Sequence, residues 1–209
     1  MPTLLHIDSS PLGDASISRH LTKEFVQHWK KAHPAGRVIN RDLTIAPPGP
    51  VTGEWVGAAY TPESARTAQQ NEVLSLSDTL IGELFSADEY VFGVPMHNFS
   101  IPSTLKLWID QIARVGKTFN YVDGKPVGLL KNKKATFVLA SGGIYDAGTV
   151  MASYNFVEPY LRTIFGFVGV TDIHFITAGG VAAIRFGQVD RETFLKPHVE
   201  SIRDKFQTA

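Results

Sequence analysis

The chain contains no cysteine. That absence excludes a disulfide framework, thiolate zinc and a thiol nucleophile together, so any redox chemistry must come from a bound cofactor. An excess of charge is missing as well: Lys+Arg and Asp+Glu both count 20. With a formal charge of zero, no field favours nucleic acid, an anionic membrane or a strongly charged partner, and such neutrality suits a small-molecule enzyme. No window approaches a membrane span, and the N-terminus Met1-Pro-Thr-Leu-Leu-His-Ile-Asp8 lacks the basic n-region and the apolar length of a signal peptide. A cytoplasmic protein is expected. Internal repeats and low-complexity segments are also absent. The 209 residues fit one domain spanning 1–209, long enough to bury a sizeable core.

What is present is an alternation of short apolar runs with longer segments of helical period. Strands are expected near Thr3–Asp8, Arg37–Asp42, Glu89–Val94, Lys134–Ala140 and Thr171–Thr177. Helices are expected where Ile17, Leu21, Phe25 and Trp29 recur every four residues, where Leu105, Trp108, Ile109 and Ile112 form one face, and over Gln69–Ser86, Val157–Phe167 and Arg191–Gln207. Lys106, Asp110 and Arg114 repeat at i+4 on the opposite side of the second of these and read as solvated surface. This βαβ alternation predicts an α/β fold: a doubly wound, five-stranded parallel sheet with helices on both faces. The stretch Thr44–Arg66, with Ala46-Pro-Pro-Gly-Pro50 and Gly53, is expected to be an irregular surface excursion.

Three loops at the carboxyl ends of predicted strands carry the chemistry, since ligands of open α/β sheets bind at that edge. The first, Ser9-Ser10-Pro-Leu-Gly-Asp-Ala-Ser16-Ile17-Ser18, enters a helix with hydroxyls at Ser10, Ser16 and Ser18. Helix-start amides and the macrodipole favour an anion there, and the hydroxyls can donate to phosphate. The plainer reading makes Ser16 a helix cap and the other serines turn residues. The loop matches neither a Walker A sequence nor G-x-G-x-x-G, which argues against ATP or a Rossmann-bound dinucleotide. The second loop, Met96-His97-Asn98-Phe99, offers backbone amides and flat side chains to a planar ring, although alone His97 reads as an ordinary loop histidine and Phe99 as core. In the third, Ala140-Ser141-Gly142-Gly143-Ile-Tyr145, paired glycines let backbone approach a ligand. A phosphate site beside a flat-ring site calls for a mononucleotide with an aromatic head group, and FMN is the natural candidate.

The strings P-M-H-N-F-S-I-P-S-T-L-K, A-R-V-G-K-T-F-N-Y and S-G-G-I-Y, with the serines of the first loop, resemble the FMN-dependent NADH-azoreductases over nearly the whole chain. The resemblance implies a homodimeric, flavodoxin-like enzyme reducing quinones and azo compounds with NADH or NADPH by two-electron ping-pong hydride transfer through FMN. It places the FMN phosphate and ribityl chain on Ser10, Ser16, Ile17 and Ser18. Met96, His97, Asn98 and Phe99 would line the isoalloxazine, with Ala140, Ser141, Gly142 and Gly143 along its pyrimidine side. Tyr121 and Phe167 match the substrate-facing aromatics, and Tyr145 stands where some relatives have histidine. No catalytic acid or base and no metal is demanded. The alternatives are a flavodoxin-like electron carrier, which neutral charge disfavours, and a flavin-binding sensor without turnover.

Overall fold

A computed structural model of the chain describes residues 1–207. Its central sheet holds β1 (Thr3–Asp8), β2 (Arg37–Asp42), β3 (Glu89–Pro95), β6 (Lys134–Ser141) and β7 (Asp172–Gly179), all parallel, in the order β2-β1-β3-β6-β7. The five expected strands are therefore present. β3, β6 and β7 run one or two residues further than the sequence predicts.

The inner strands are near-continuous apolar runs because both faces are covered, and alternate residues serve opposite cores. Leu5, Phe92 and Phe137 pack with α3 (Ala68–Ser86), α4 (Ser103–Ile112) and α5 (Val157–Val168); Leu4, Val91 and Val138 pack with α1 (Ile17–Ala32) and α7 (Arg191–Gln207). In the first core Phe92 stacks on Phe137 at 4.9 Å and meets Phe165 edge-on at 5.1 Å. The second buries Phe25 and Trp29, the four-residue stripe of α1. Each such fully buried side chain contributes about 1.5–3 kcal/mol.

Two expectations are corrected. The stretch Thr44–Arg66 is not irregular throughout: α2 (Gly53–Tyr60) starts where the Thr52 hydroxyl accepts from the Trp55 amide, and a short 3-10 turn covers Glu63–Ala65. Pro50 is the last proline before α2, and Trp55 anchors the helix by donating from Nε1 to Gln111 Oε1 at 2.8 Å. Arg114 is not solvated surface. The helix ends at Ile112, so i+4 spacing no longer holds, and the guanidinium is 2% exposed, donating to Ser77 and Asp78. Lys106 and Asp110 do form the exposed pair. The sequence reading also missed an antiparallel hairpin, β4 (Phe119–Val122) with β5 (Lys125–Gly128), and a single helical turn, α6 (Ala182–Arg185). Asp123 and Gly124, with φ of 50° and 74°, form the two-residue turn that Asp-Gly favours.

Candidate functional site at the carboxyl edge

The ends of β1, β3 and β6 bring the three loops together. Ser9 ties the first to the second strand end, its amide and hydroxyl both donating to Gly93 O. The Met96 amide donates to Ala140 O at 2.7 Å and joins the second loop to the third. The turn before α6 holds the third loop from the far side, with Gly180, Val181 and Ala182 amides donating to the carbonyls of Gly143, Ser141 and Gly142.

In the first loop Ser10, Ser16, Ile17 and Ser18 are all buried. Ser16 caps α1, its Oγ accepting from the Arg19 amide at 3.2 Å, and lies 3.1 Å from Ser18 Oγ. The capping reading therefore holds. It leaves the first-turn amides of Ile17 and Ser18 with no carbonyl one turn earlier to bond, which is the feature that favours an anion. Beneath the loop, Arg19 donates from Nε to Ser10 O and grips Asp42 with both terminal nitrogens at 2.6 and 2.7 Å. That grip holds the Asp42 carboxyl far below the usual carboxylate range, helped by Thr44, while Asp42 raises Arg19 above its ordinary value. Asp8, bonded by Thr22, lies where a side chain at Gly93 would collide with it.

The second loop is a two-residue reversal: His97 and Ser100 exchange amide–carbonyl bonds at 2.9 and 3.0 Å, and Asn98 and Phe99 have φ of 48° and 70°. Asparagine tolerates the left-handed region; phenylalanine does so at a cost of order 1–3 kcal/mol. What the strain secures is orientation. Among the described residues the Asn98 and Phe99 amides have no acceptor, nor do those of Gly142 and Gly143. Phe99 is 40% exposed, not core, and its ring meets Tyr145 at 6.2 Å and Tyr154 at 5.4 Å. Tyr145 folds back over Gly143, close enough that a Cβ there would sit 3.2 Å from its ring. A cleft of about 460 Å³ opens between His97, Asn98 and Ser103 on one side and Tyr160 on the other. Burial, with Asp110 adding to it, pushes the Tyr160 phenol above its ordinary value. A larger groove of about 610 Å³ runs between α1 and α7 and borders the first loop only at Arg191.

Tyr121 and Phe167 are not with these loops. α5 returns from the end of β6 to the start of β7, so Phe167, near its last residue, lies at the amino edge of the sheet. The β4–β5 hairpin packs there too: Phe119 sits 4.5 Å from Phe167 and 5.9 Å from Tyr121. Within a single copy of the chain, Tyr121 and Phe167 therefore do not wall a cavity over the loops. Sequence reasoning also missed Arg19 and Arg191, which carry no motif.

A family model described as having a flavodoxin-like fold matches residues 2–205. The chain is 58% identical over 204 residues to an FMN-dependent NADH:quinone oxidoreductase of Acidobacterium capsulatum, covering 98% of each. It is 50% identical over 203 residues to FMN-dependent NADH:quinone oxidoreductase 3 of Burkholderia lata, covering 97% of this chain and 98% of that one. Among solved structures, an FMN-dependent NADH-azoreductase from Bacillus anthracis in complex with FMN aligns with a TM-score of 0.87 at 25% identity, over 100% of this chain and 99% of the other. Strand order, loop placement and identity over almost the entire length agree, and the chain belongs to the flavodoxin-like family.

Proposed function

We propose that this chain is an FMN-dependent oxidoreductase that reduces quinones and azo compounds with NADH or NADPH, acting as a cytoplasmic homodimer. The observation that carries the reading is the set of acceptor-free amides on Asn98, Phe99, Gly142 and Gly143, at the same sheet edge as the hydroxyls of Ser16 and Ser18. They fit FMN. An anion suits the start of α1, and a flat, hydrogen-bond-accepting ring suits two loops of free amides, one without side chains.

When bound, FMN supplies the hydride chemistry, accepting from the nicotinamide and donating to the acceptor. The protein's part is binding and orientation. Ser10, Ser16, Ile17 and Ser18 would hold the phosphate and ribityl chain, Met96 to Phe99 and Ala140 to Gly143 the ring. Amides aimed at the ring would stabilise negative charge that builds on it, without moving when it appears. Tyr145, hinged over Gly143, would bound the acceptor cavity and donate a hydrogen bond through its phenol.

Geometry supports the dimer. Tyr121 is 57% exposed at the amino edge, so it and Phe167 can close a cavity over the carboxyl edge only when a second copy supplies them. Two-fold pairing is the commonest way to do this. The FMN-dependent NADH:quinone oxidoreductases at 58% and 50% identity support NADH as the reductant and quinone as the acceptor. No helix among the described residues is long and apolar enough to cross a membrane. The test is to purify the protein, identify the heat-released chromophore by chromatography, and follow NADH oxidation with a quinone. FMN and acceptor-dependent turnover are expected; FAD, or no NADH oxidation, would overturn the proposal.

A further inference from the structure

Arg191 opens α7, 175 residues from Ser16 in sequence, and its guanidinium lies behind the first loop. Nη1 donates to Ala15 O at 2.7 Å; Nη2 donates to Asp14 O at 3.0 Å and to Ser16 O at 3.3 Å. One side chain thus collects three consecutive carbonyls of the segment that leads into α1. The Ser16 peptide is planar and trans, so a carbonyl turned toward Arg191 and the His20 amide sends the Ile17 N–H the opposite way, toward the ligand side.

This arrangement has costs that fold stability alone does not explain. A cation in the first turn of a helix opposes the macrodipole. No carboxylate oxygen among the described residues lies within 4.0 Å of the guanidinium, because Asp190, the adjacent acid, is taken by the Thr193 amide and hydroxyl at 2.9 and 2.6 Å. Arg19, the other arginine at this loop, is the contrast: it touches one loop carbonyl, and its charge is spent on Asp42. Of the two arginines that donate to the loop carbonyls, Arg191 is therefore the one whose charge no carboxylate pairs.

We propose that Arg191 is the positioning residue of this loop, and that its uncompensated charge makes the loop prefer a phosphorylated flavin to an unphosphorylated one. This rests on the FMN reading above. The test titrates apoprotein with FMN and with riboflavin, following flavin fluorescence, for wild type, Arg191→Met and Arg191→Lys. Losing hydrogen bonds from a charged group should weaken FMN by about ten- to a hundredfold in Arg191→Met while leaving riboflavin nearly unchanged. Arg191→Lys keeps the charge but not the fork, and should fall between the two in its preference for FMN. Equal losses for both flavins, which a merely structural role would give, or no loss for FMN, would overturn the proposal. Should Arg191→Met fail to fold, Arg191→Gln, which removes the charge but keeps a donor, carries the test, and an FMN preference equal to wild type there does the same. Wild-type apoprotein that binds neither flavin would instead overturn the FMN reading itself.

Discussion

Gly128→Ala tests the placement of the amino-edge aromatics. Gly128 ends β5 against the C-terminus of α5, and a Cβ there would lie closer than 3.0 Å to Val168 C, Gly169 N and Gly169 Cα. Those atoms are backbone and cannot rotate away. A Cβ at Gly169, whose φ is 108°, would in turn lie 2.8 Å from Gly128 C, so the contact is closed in both directions. Alanine must push the hairpin off α5. Such overpacking costs about 1–3 kcal/mol, and loss of the Leu130 N–H to Val168 O bond at 2.9 Å adds about 0.5–1.5. A total near 2–4 kcal/mol lowers the Tm of a chain this size by roughly 4–16 °C and still leaves it folded. The displacement separates Phe119 from Phe167 and moves Tyr121, while the loops at the other edge are untouched. Calorimetry should show the lower Tm, FMN titration an unchanged affinity, and quinone turnover a reduced kcat/KM. A Tm equal to wild type would refute the packing argument; FMN affinity lost in step with turnover would refute the separation of the two edges.

Ser18→Ala should weaken FMN by about 1.5–3 kcal/mol and destabilise the apoprotein by about 0.5–1.5 through loss of its bond to Ser16, whereas Ser16→Ala loses that bond and, as the α1 cap is removed, about 0.5–2 more; flavin titration and thermal melts separate the two. Gly143→Val should damage both half-reactions in stopped-flow traces, because added bulk meets the Tyr145 ring beside the flavin loop, and Tyr145→Phe should act mainly on the acceptor half. Asp42 has a folded pKa depressed by Arg19, so it contributes stability above its unfolded value of 3.8 that is lost as pH falls below it. Asp42→Asn should therefore be less stable than wild type at neutral pH by chemical denaturation, and the gap should narrow as the pH drops below about 4.

The parallel sheet is legible in the sequence because burial on both faces makes β3 and β6 unbroken apolar runs, and the edge of the sheet then locates the three loops. β4 and β5 escape the same reading: each has four residues, mostly exposed, so no apolar pattern marks them. Asp123-Gly124 is the signal that could have found them. α2 depends on Trp55 reaching Gln111, a tertiary contact that no local pattern reports. Arg114 was misread because i+4 spacing was carried past the end of α4. Tyr121 and Phe167 follow from the family resemblance, but their edge of the sheet is set by topology. Arg191 reaches the first loop only through the folding of the whole chain.

The central claim is that three strand-end loops hold an FMN that nicotinamide and acceptor use in turn. Anaerobic addition of NADH alone to the purified yellow protein tests it most directly. The account predicts that the flavin absorbance bleaches with no acceptor present and returns when a quinone is added. A flavin that NADH leaves oxidised until quinone is present would contradict it.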